Sequence, residues 1–156
     1  MADSPESPIA PSVVLVADDN EQNLELLIAY LDGLEGVRVV TARDGAETLE
    51  KIRADKPDLV LLDIMMPKMS GFEVCRKVKA DPQLKSIPIV MVTALNEMGD
   101  IERGVECGTD DFLSKPINRL ELVTRVKSLL RVKHLKNELE RMLAYLDEPE
   151  GEEKGN

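Results

Sequence analysis

Residues 57–79 read PDLVLLDIMMPKMSGFEVCRKVK. Four apolar residues, Leu59–Leu62, run without alternation from the Pro57-Asp58 break into Asp63. A short apolar run between breakers suits a strand covered on both faces, because a strand with one wet face would alternate. Pro67 and Gly71 then mark a loop. Ser70 is placed to cap a helix over Gly71–Lys79, where Val74 and Val78 repeat at i+4. Strand, loop and helix follow in immediate succession, with a carboxylate at the junction.

The same unit recurs on either side. Val13–Ala17 (VVLVA), Val37–Thr41 (VRVVT), Ile89–Val92 and Asp111–Leu113 are further strand candidates, each short and bounded by breakers. Helical period lies between them. Glu21–Leu31 sets Leu24, Leu27, Ile28 and Leu31 on one face, and Asp44–Arg53 starts on a capping Asp and carries Ala46, Leu49 and Ile52. Glu97–Glu106 is shorter and stops at Gly108. Repeated β-α units predict an α/β fold: a five-stranded parallel sheet, doubly wound, with helices on both faces. In such sheets the site lies beyond the carboxyl ends of the strands, near the reversal of strand order.

Composition narrows the function. The chain has 156 residues, enough for one compact domain, and 43% of them are apolar, so wholesale disorder is excluded. A net charge of −10 argues against direct nucleic-acid binding and against anionic membrane surfaces. Tyr30, Phe72, Phe112 and Tyr145 are too few aromatics for a base-stacking surface. No apolar run reaches the ~20 residues of a membrane span, and MADSPESPIAPS is not a signal peptide. Cys75, Cys107 and the single His134 cannot make a standard zinc site, and two free thiols fit a reducing cytoplasm. The expected division is a disordered leader (1–12), a domain (13–131), a helical extension (132–146) and an acidic disordered tail (147–156).

At the predicted strand ends stand Asp18-Asp19, Asp63, Thr93 and Ser114-Lys115-Pro116. Asp18-Asp19 alone could be a solvated loop or a helix cap. Three carboxylates converging on one rim repel, and a divalent cation is the simplest remedy. Oxygen ligands without sulfur or imidazole favour Mg²⁺.

In these residues the chain resembles the receiver domain of bacterial two-component response regulators. The likeness rests on VLVADDN, PDLVLLDIMMPKMSGFEVCRKVK, PIVMVTA and DFLSKP, in that order, over residues 13 to 131. It is most similar to receivers that head diguanylate-cyclase regulators. The resemblance implies the flavodoxin-like (βα)5 fold and a switch activated by phosphorylation. It implies Asp63 as phosphoacceptor, and Mg²⁺ held by Asp18, Asp19, Asp63 and the Met65 carbonyl. Lys115 would be a second cation for the phosphoryl oxygens, and Thr93 would donate its hydroxyl to them. A cis peptide is expected between Lys115 and Pro116. Phe112 stands where the family places an aromatic that rotates inward when Thr93 moves; Phe lacks the hydroxyl of the family's common Tyr, so a smaller population shift is expected. Met65 and Leu95, both apolar, are expected to shield the acyl phosphate and slow its hydrolysis.

Two rival readings fail on residues. An aspartate-nucleophile phosphatase of the haloacid-dehalogenase type needs a second acid two positions after its nucleophile, where this chain has Met65. A flavodoxin-like binding module needs a hydroxyl- and Gly-rich phosphate loop, where this chain has Asp18-Asp19-Asn20. No enzyme activity is expected beyond self-phosphorylation and self-dephosphorylation.

Asn118 and Glu121 form a capping pair for the last helix, whose Leu122, Val123, Val126, Leu129 and Leu130 would cover the sheet. The apolar pattern then continues through Val132, Leu135, Leu139, Met142 and Leu146, spaced 3, 4, 3, 4 as in a coiled-coil seam. A parallel homodimer through the fourth and fifth helices and this extension is expected; a single helix that frays or folds back is the alternative. His134 is expected to be solvated beside the seam, and Cys75, Cys107 and Tyr30 to have no functional role. The implied partner is a sensor histidine kinase or a phosphotransfer protein. Either the chain acts by itself through protein contacts, or it is a fragment of a larger regulator such as a diguanylate cyclase.

Overall fold

The computed structural model describes residues 10–94 and 98–147. Its elements alternate: β1 (Ser12–Ala17), α1 (Glu21–Leu31), β2 (Val37–Ala42), α2 (Gly45–Asp55), β3 (Leu59–Asp63), α3 (Gly71–Ala80), β4 (Ile89–Thr93), α4 (Met98–Cys107), β5 (Asp111–Ser114) and α5 (Arg119–Asp147). All strand pairs are parallel, in the order β2-β1-β3-β4-β5. The order reverses at β1, so the crevice opens between the carboxyl ends of β1 and β3.

Two apolar layers sandwich the sheet. Alternate residues of one strand point to opposite faces, and β3 divides accordingly. Val60 and Leu62 join Leu49, Ile52, Val74, Val78 and Met91 on the α2–α3–α4 side. Leu59 and Leu61 join Leu24, Leu27, Leu31, Leu122, Val126 and Leu130 on the α1–α5 side. Every residue of β3 and β4 is buried. Val123 and Leu129 pack partly against the second layer, and Cys75 and Cys107 lie in the first. Burial of a large aliphatic side chain is worth about 1.5–3 kcal/mol, so these layers set the fold and the loops above them inherit their positions.

Side-chain caps fix the helix starts. The oxygens of Asn20, Asp44, Ser70 and Asn118 accept from the backbone N–H groups of Asn23, Glu47, Glu73 and Glu121, at 3.0, 2.7, 3.2 and 2.9 Å. Each satisfies a donor that the helix leaves open.

Two expectations at the amino-terminal edge of the sheet are corrected. Ser12, assigned to the leader, is 4% exposed and opens β1, its N–H donating to the Gly36 carbonyl at 2.9 Å. His134 is half-buried rather than solvated, with Nε2 2.8 Å from Ser12 Oγ. The Ser12 hydroxyl has one proton and donates it to the Ala10 carbonyl at 2.6 Å, so His134 Nε2 is the donor in this pair. Lys133 Nζ lies 3.2 Å from Ser86 Oγ. α5 therefore touches the body as far as residue 134. Beyond it, Leu135, Leu139, Met142, Leu143, Tyr145 and Leu146 are all more than half exposed.

Candidate functional site

The crevice floor is carboxylate. Asp18 follows β1 at 1% exposure, and Asp63 ends β3 at 5%. Ala17 pairs with Leu62 in the sheet register, so the two acids occupy adjacent positions on neighbouring strands. Asp19 is exposed at the rim. One carboxylate oxygen from each of Asp18, Asp19 and Asp63 lies within 4.8 Å of the others.

Opposing charge arrives from β5. Lys115 Nζ is 3.2 Å from Asp18 Oδ2 and 3.5 Å from Asp63 Oδ2. The Lys115 N–H donates to the Thr93 carbonyl at 2.8 Å, and the Lys115-Pro116 peptide is cis. Asp18 also accepts from the Asn20 N–H at 2.9 Å, and Asp63 from the Met65 N–H. Burial, and then repulsion from Asp18, raise the Asp63 carboxyl to about 6, against the opposing pull of Lys115. One ammonium does not offset three carboxylates here.

The loop after β3 is held close to the floor. Gly71 donates to the Ile64 carbonyl at 2.8 Å, and a Cβ at residue 71 would lie 2.4 Å from the Asp63 carbonyl oxygen. Lys68 takes a left-handed φ of 71° and pairs with the Asp44 carboxylate at 3.5 Å. The Met65 side chain is 64% exposed at the crevice mouth. Leu95 lies outside the described residues.

Thr93 ends β4 and is 6% exposed. Phe112, on β5 opposite Met91, is half-buried and turns its ring onto α4. Asp18, Asp19, Asp63, Thr93 and Lys115 thus meet at one end of the sheet, while the seam residues Val132 to Leu146 are exposed on α5. The sequence reading missed contacts among charged and small residues. Arg125 pairs with Asp111 and Glu121, Asp58 accepts from the Val13 N–H at 2.7 Å, and Gly104 lies under Phe112. Arg125–Asp111, Val13–Asp58 and Gly104–Phe112 join separate segments, so no local pattern marks them, whereas Arg125–Glu121 is an i,i+4 helix pair that spacing could have shown.

An acidic crevice at the switch point of a doubly wound sheet, with one lysine delivered by a neighbouring loop, defines a phosphoryl-handling regulatory domain. Residues 14–127 match the response regulator receiver domain, and the chain belongs to that family. Receiver domains are the phosphoryl-accepting switches of response regulators.

The relatives agree. Response regulator PleD of Caulobacter vibrioides is 49% identical over 126 residues, 81% of this chain and 28% of PleD. The alkaline phosphatase synthesis transcriptional regulatory protein PhoP of Bacillus subtilis is 42% identical over 118 residues, 76% of this chain and 48% of PhoP. The chain thus spans half or less of these relatives' length. Among solved structures, chemotaxis protein CheY4 of Vibrio cholerae superposes with a TM-score of 0.71 at 31% identity, covering 77% of this chain and 99% of CheY4. The receiver domain of sensor histidine kinase PA1611 from Pseudomonas aeruginosa has a magnesium ion coordinated in its active site cleft. It superposes with a TM-score of 0.71 at 29% identity, covering 78% and 98% of the two chains.

Proposed function

We propose that Asp63 is the phosphoacceptor of a Mg²⁺-dependent switch fed by a histidine kinase or phosphotransfer protein. The observation that carries this reading is the three-carboxylate cluster within 4.8 Å, with Lys115 bridging Asp18 and Asp63. An Asp63 oxygen attacks the phosphorus of the partner's phosphohistidine, the P–N bond breaks, and the imidazole leaves. Lys115 is within reach of an oxygen on the transferred group. Thr93 ends the neighbouring strand, where its hydroxyl can donate to another.

The donor set fits a hard divalent cation: all oxygens, three of them carboxylate, with a raised Asp63 pKa that a cation would relieve. Asp18, Asp19, Asp63 and the Met65 carbonyl would hold Mg²⁺. When bound, it supplies positive charge to the phosphoryl oxygens. The phosphatase alternative has no support, because Met65 gives no general acid beside Asp63. Self-phosphorylation and self-dephosphorylation are the chemistry we assign to this domain, as part of a cytoplasmic regulator.

The output we infer is contact between proteins, through α4, β5 and the α5 extension. Val132, Leu135, Leu139, Met142 and Leu146 are each at least 48% exposed along one side of α5, and a parallel helix from a second copy would cover them. The domain division follows the same reading once Ser12 is counted with β1: a body from 12 to 131 and an extension over 132–146, with contacts to the body continuing to His134. In a larger regulator, such as a diguanylate cyclase, that helix would lead onward.

The test is solution size in Mg²⁺ with and without beryllofluoride, for wild type and Asp63→Ala. Mg²⁺-dependent binding of the mimic by wild type alone supports the acceptor assignment. A monomer unmoved by the mimic removes the dimer output.

A further inference from the structure

Gly104 sits inside α4, where glycine is among the poorest helix formers and no left-handed φ calls for it. Its reason lies in packing. A Cβ at residue 104 would stand 2.3 Å from Phe112 Cζ and 2.7 Å from Cε1, closer than carbon atoms can approach. The Phe112 ring therefore occupies the volume that any other side chain would claim.

α4 has little freedom to withdraw. The Arg103 guanidinium lies over the Phe72 ring of α3, 4.2 Å from its centroid. The Cys75 thiol is 3.4 Å from the Cys107 carbonyl, and Arg76 Nη2 is 3.9 Å from Cys107 Sγ. These contacts tie the second half of α4 to α3. A methyl group at 104 would then displace the ring rather than the helix. Among the described residues β5 is an edge strand of four residues paired with β4 alone, so its placement leans on the side chains packed over it. Lys115, which bridges Asp18 and Asp63, begins just beyond its end.

From this packing we infer that Gly104 is a positioning residue for the phosphoryl site: its missing side chain lets Phe112 seat against α4, and the seated ring holds β5 and Lys115 in register with Asp63. The inference rests on the acceptor reading above and adds to it a residue that never touches the crevice.

Calorimetric titration of beryllofluoride in Mg²⁺ tests it on the full chain. Gly104→Ala is expected to bind the mimic about tenfold more weakly than wild type, since overpacking must be relieved by moving the ring. Phe112→Leu removes the colliding atoms, so Gly104→Ala/Phe112→Leu is expected to bind as well as Phe112→Leu alone. Unchanged affinity in Gly104→Ala, or a double variant weaker than Phe112→Leu, overturns the inference. Nuclear Overhauser contacts between the Gly104 α-protons and the Phe112 ring in mimic-bound wild type give an answer even where the variant does not fold. Their presence supports the inference and their absence overturns it. Wild type that fails to bind the mimic sinks the acceptor reading, and the inference with it.

Discussion

The Lys115 ammonium lies 3.2 Å from the Asp18 carboxylate, across 97 positions of chain, with Asp18 1% exposed. Asp18 is buried and Lys115 half-buried in this ion pair, which sits beside two further acids. Breaking such a pair is more damaging than never having built it, because a buried charge is left unpaired. Lys115→Ala is expected to cost about 2–4 kcal/mol of stability in metal-free protein at neutral pH. Added Mg²⁺ should recover part of that loss by supplying positive charge to the same oxygens. Urea melts with and without Mg²⁺ measure both; a metal-free loss under about 0.5 kcal/mol would put Lys115 outside the electrostatic balance of the crevice.

Asp63 gives the pH dependence. Its carboxyl is raised from 3.8 to about 6 by burial and by Asp18. Between those values the folded chain binds more protons at this position than the unfolded chain, so this group's contribution to stability falls as pH rises through 6. Asp63→Asn removes the group, and is expected to stabilise metal-free protein by about 1–3 kcal/mol at pH 8. The gain should vanish below about pH 4, where both states of the wild type are protonated. Saturating Mg²⁺ should reverse the ranking at pH 8. A gain independent of pH would trace to packing instead.

Gly71 sets how closely the loop follows β3. A Cβ there would lie 2.4 Å from the Asp63 carbonyl oxygen and 2.8 Å from Ile64 Cα, both backbone atoms that cannot turn aside. Gly71→Ala is expected to cost about 1–3 kcal/mol and to weaken Mg²⁺ binding, because relief requires moving the strand end that carries Asp63. Thermal melts and metal titration check the two effects together. A variant that keeps wild-type Mg²⁺ affinity would show that the loop yields instead of the strand.

The alternation of strands and helices was legible because burial on both faces leaves a mark in sequence: Leu59–Leu62 and Ile89–Val92 admit no polar residue. The crevice acids were legible because the chain direction of a parallel sheet puts every strand's last residue at the same end. Ser12 was not, since its place in β1 depends on the Gly36 carbonyl and on a histidine from the far end of the chain. Gly104 was not either. A helix-interior glycine reads as a weak spot until the ring that fills its space is known.

The α5 extension carries the last prediction. Leu135 and Leu139 are 64% and 55% exposed, four residues apart on one side of the helix and past the His134–Ser12 contact. Seven large exposed apolar side chains, from Val132 to Leu146, line this part of α5. Two heptads alone make a marginal coiled coil, but helices already anchored to folded bodies avoid much of the ordering entropy of free peptides. Leu135→Asp with Leu139→Asp would put charge into the seam and is expected to raise the dimer dissociation constant by at least about 100-fold. Neither residue belongs to the apolar layers of the body, so the thermal midpoint of the isolated protomer should hold within a few degrees. Sedimentation equilibrium read beside calorimetry separates the two quantities. An unchanged oligomeric state in the double variant, with wild type a dimer, would move the interface from the extension to α4 and β5.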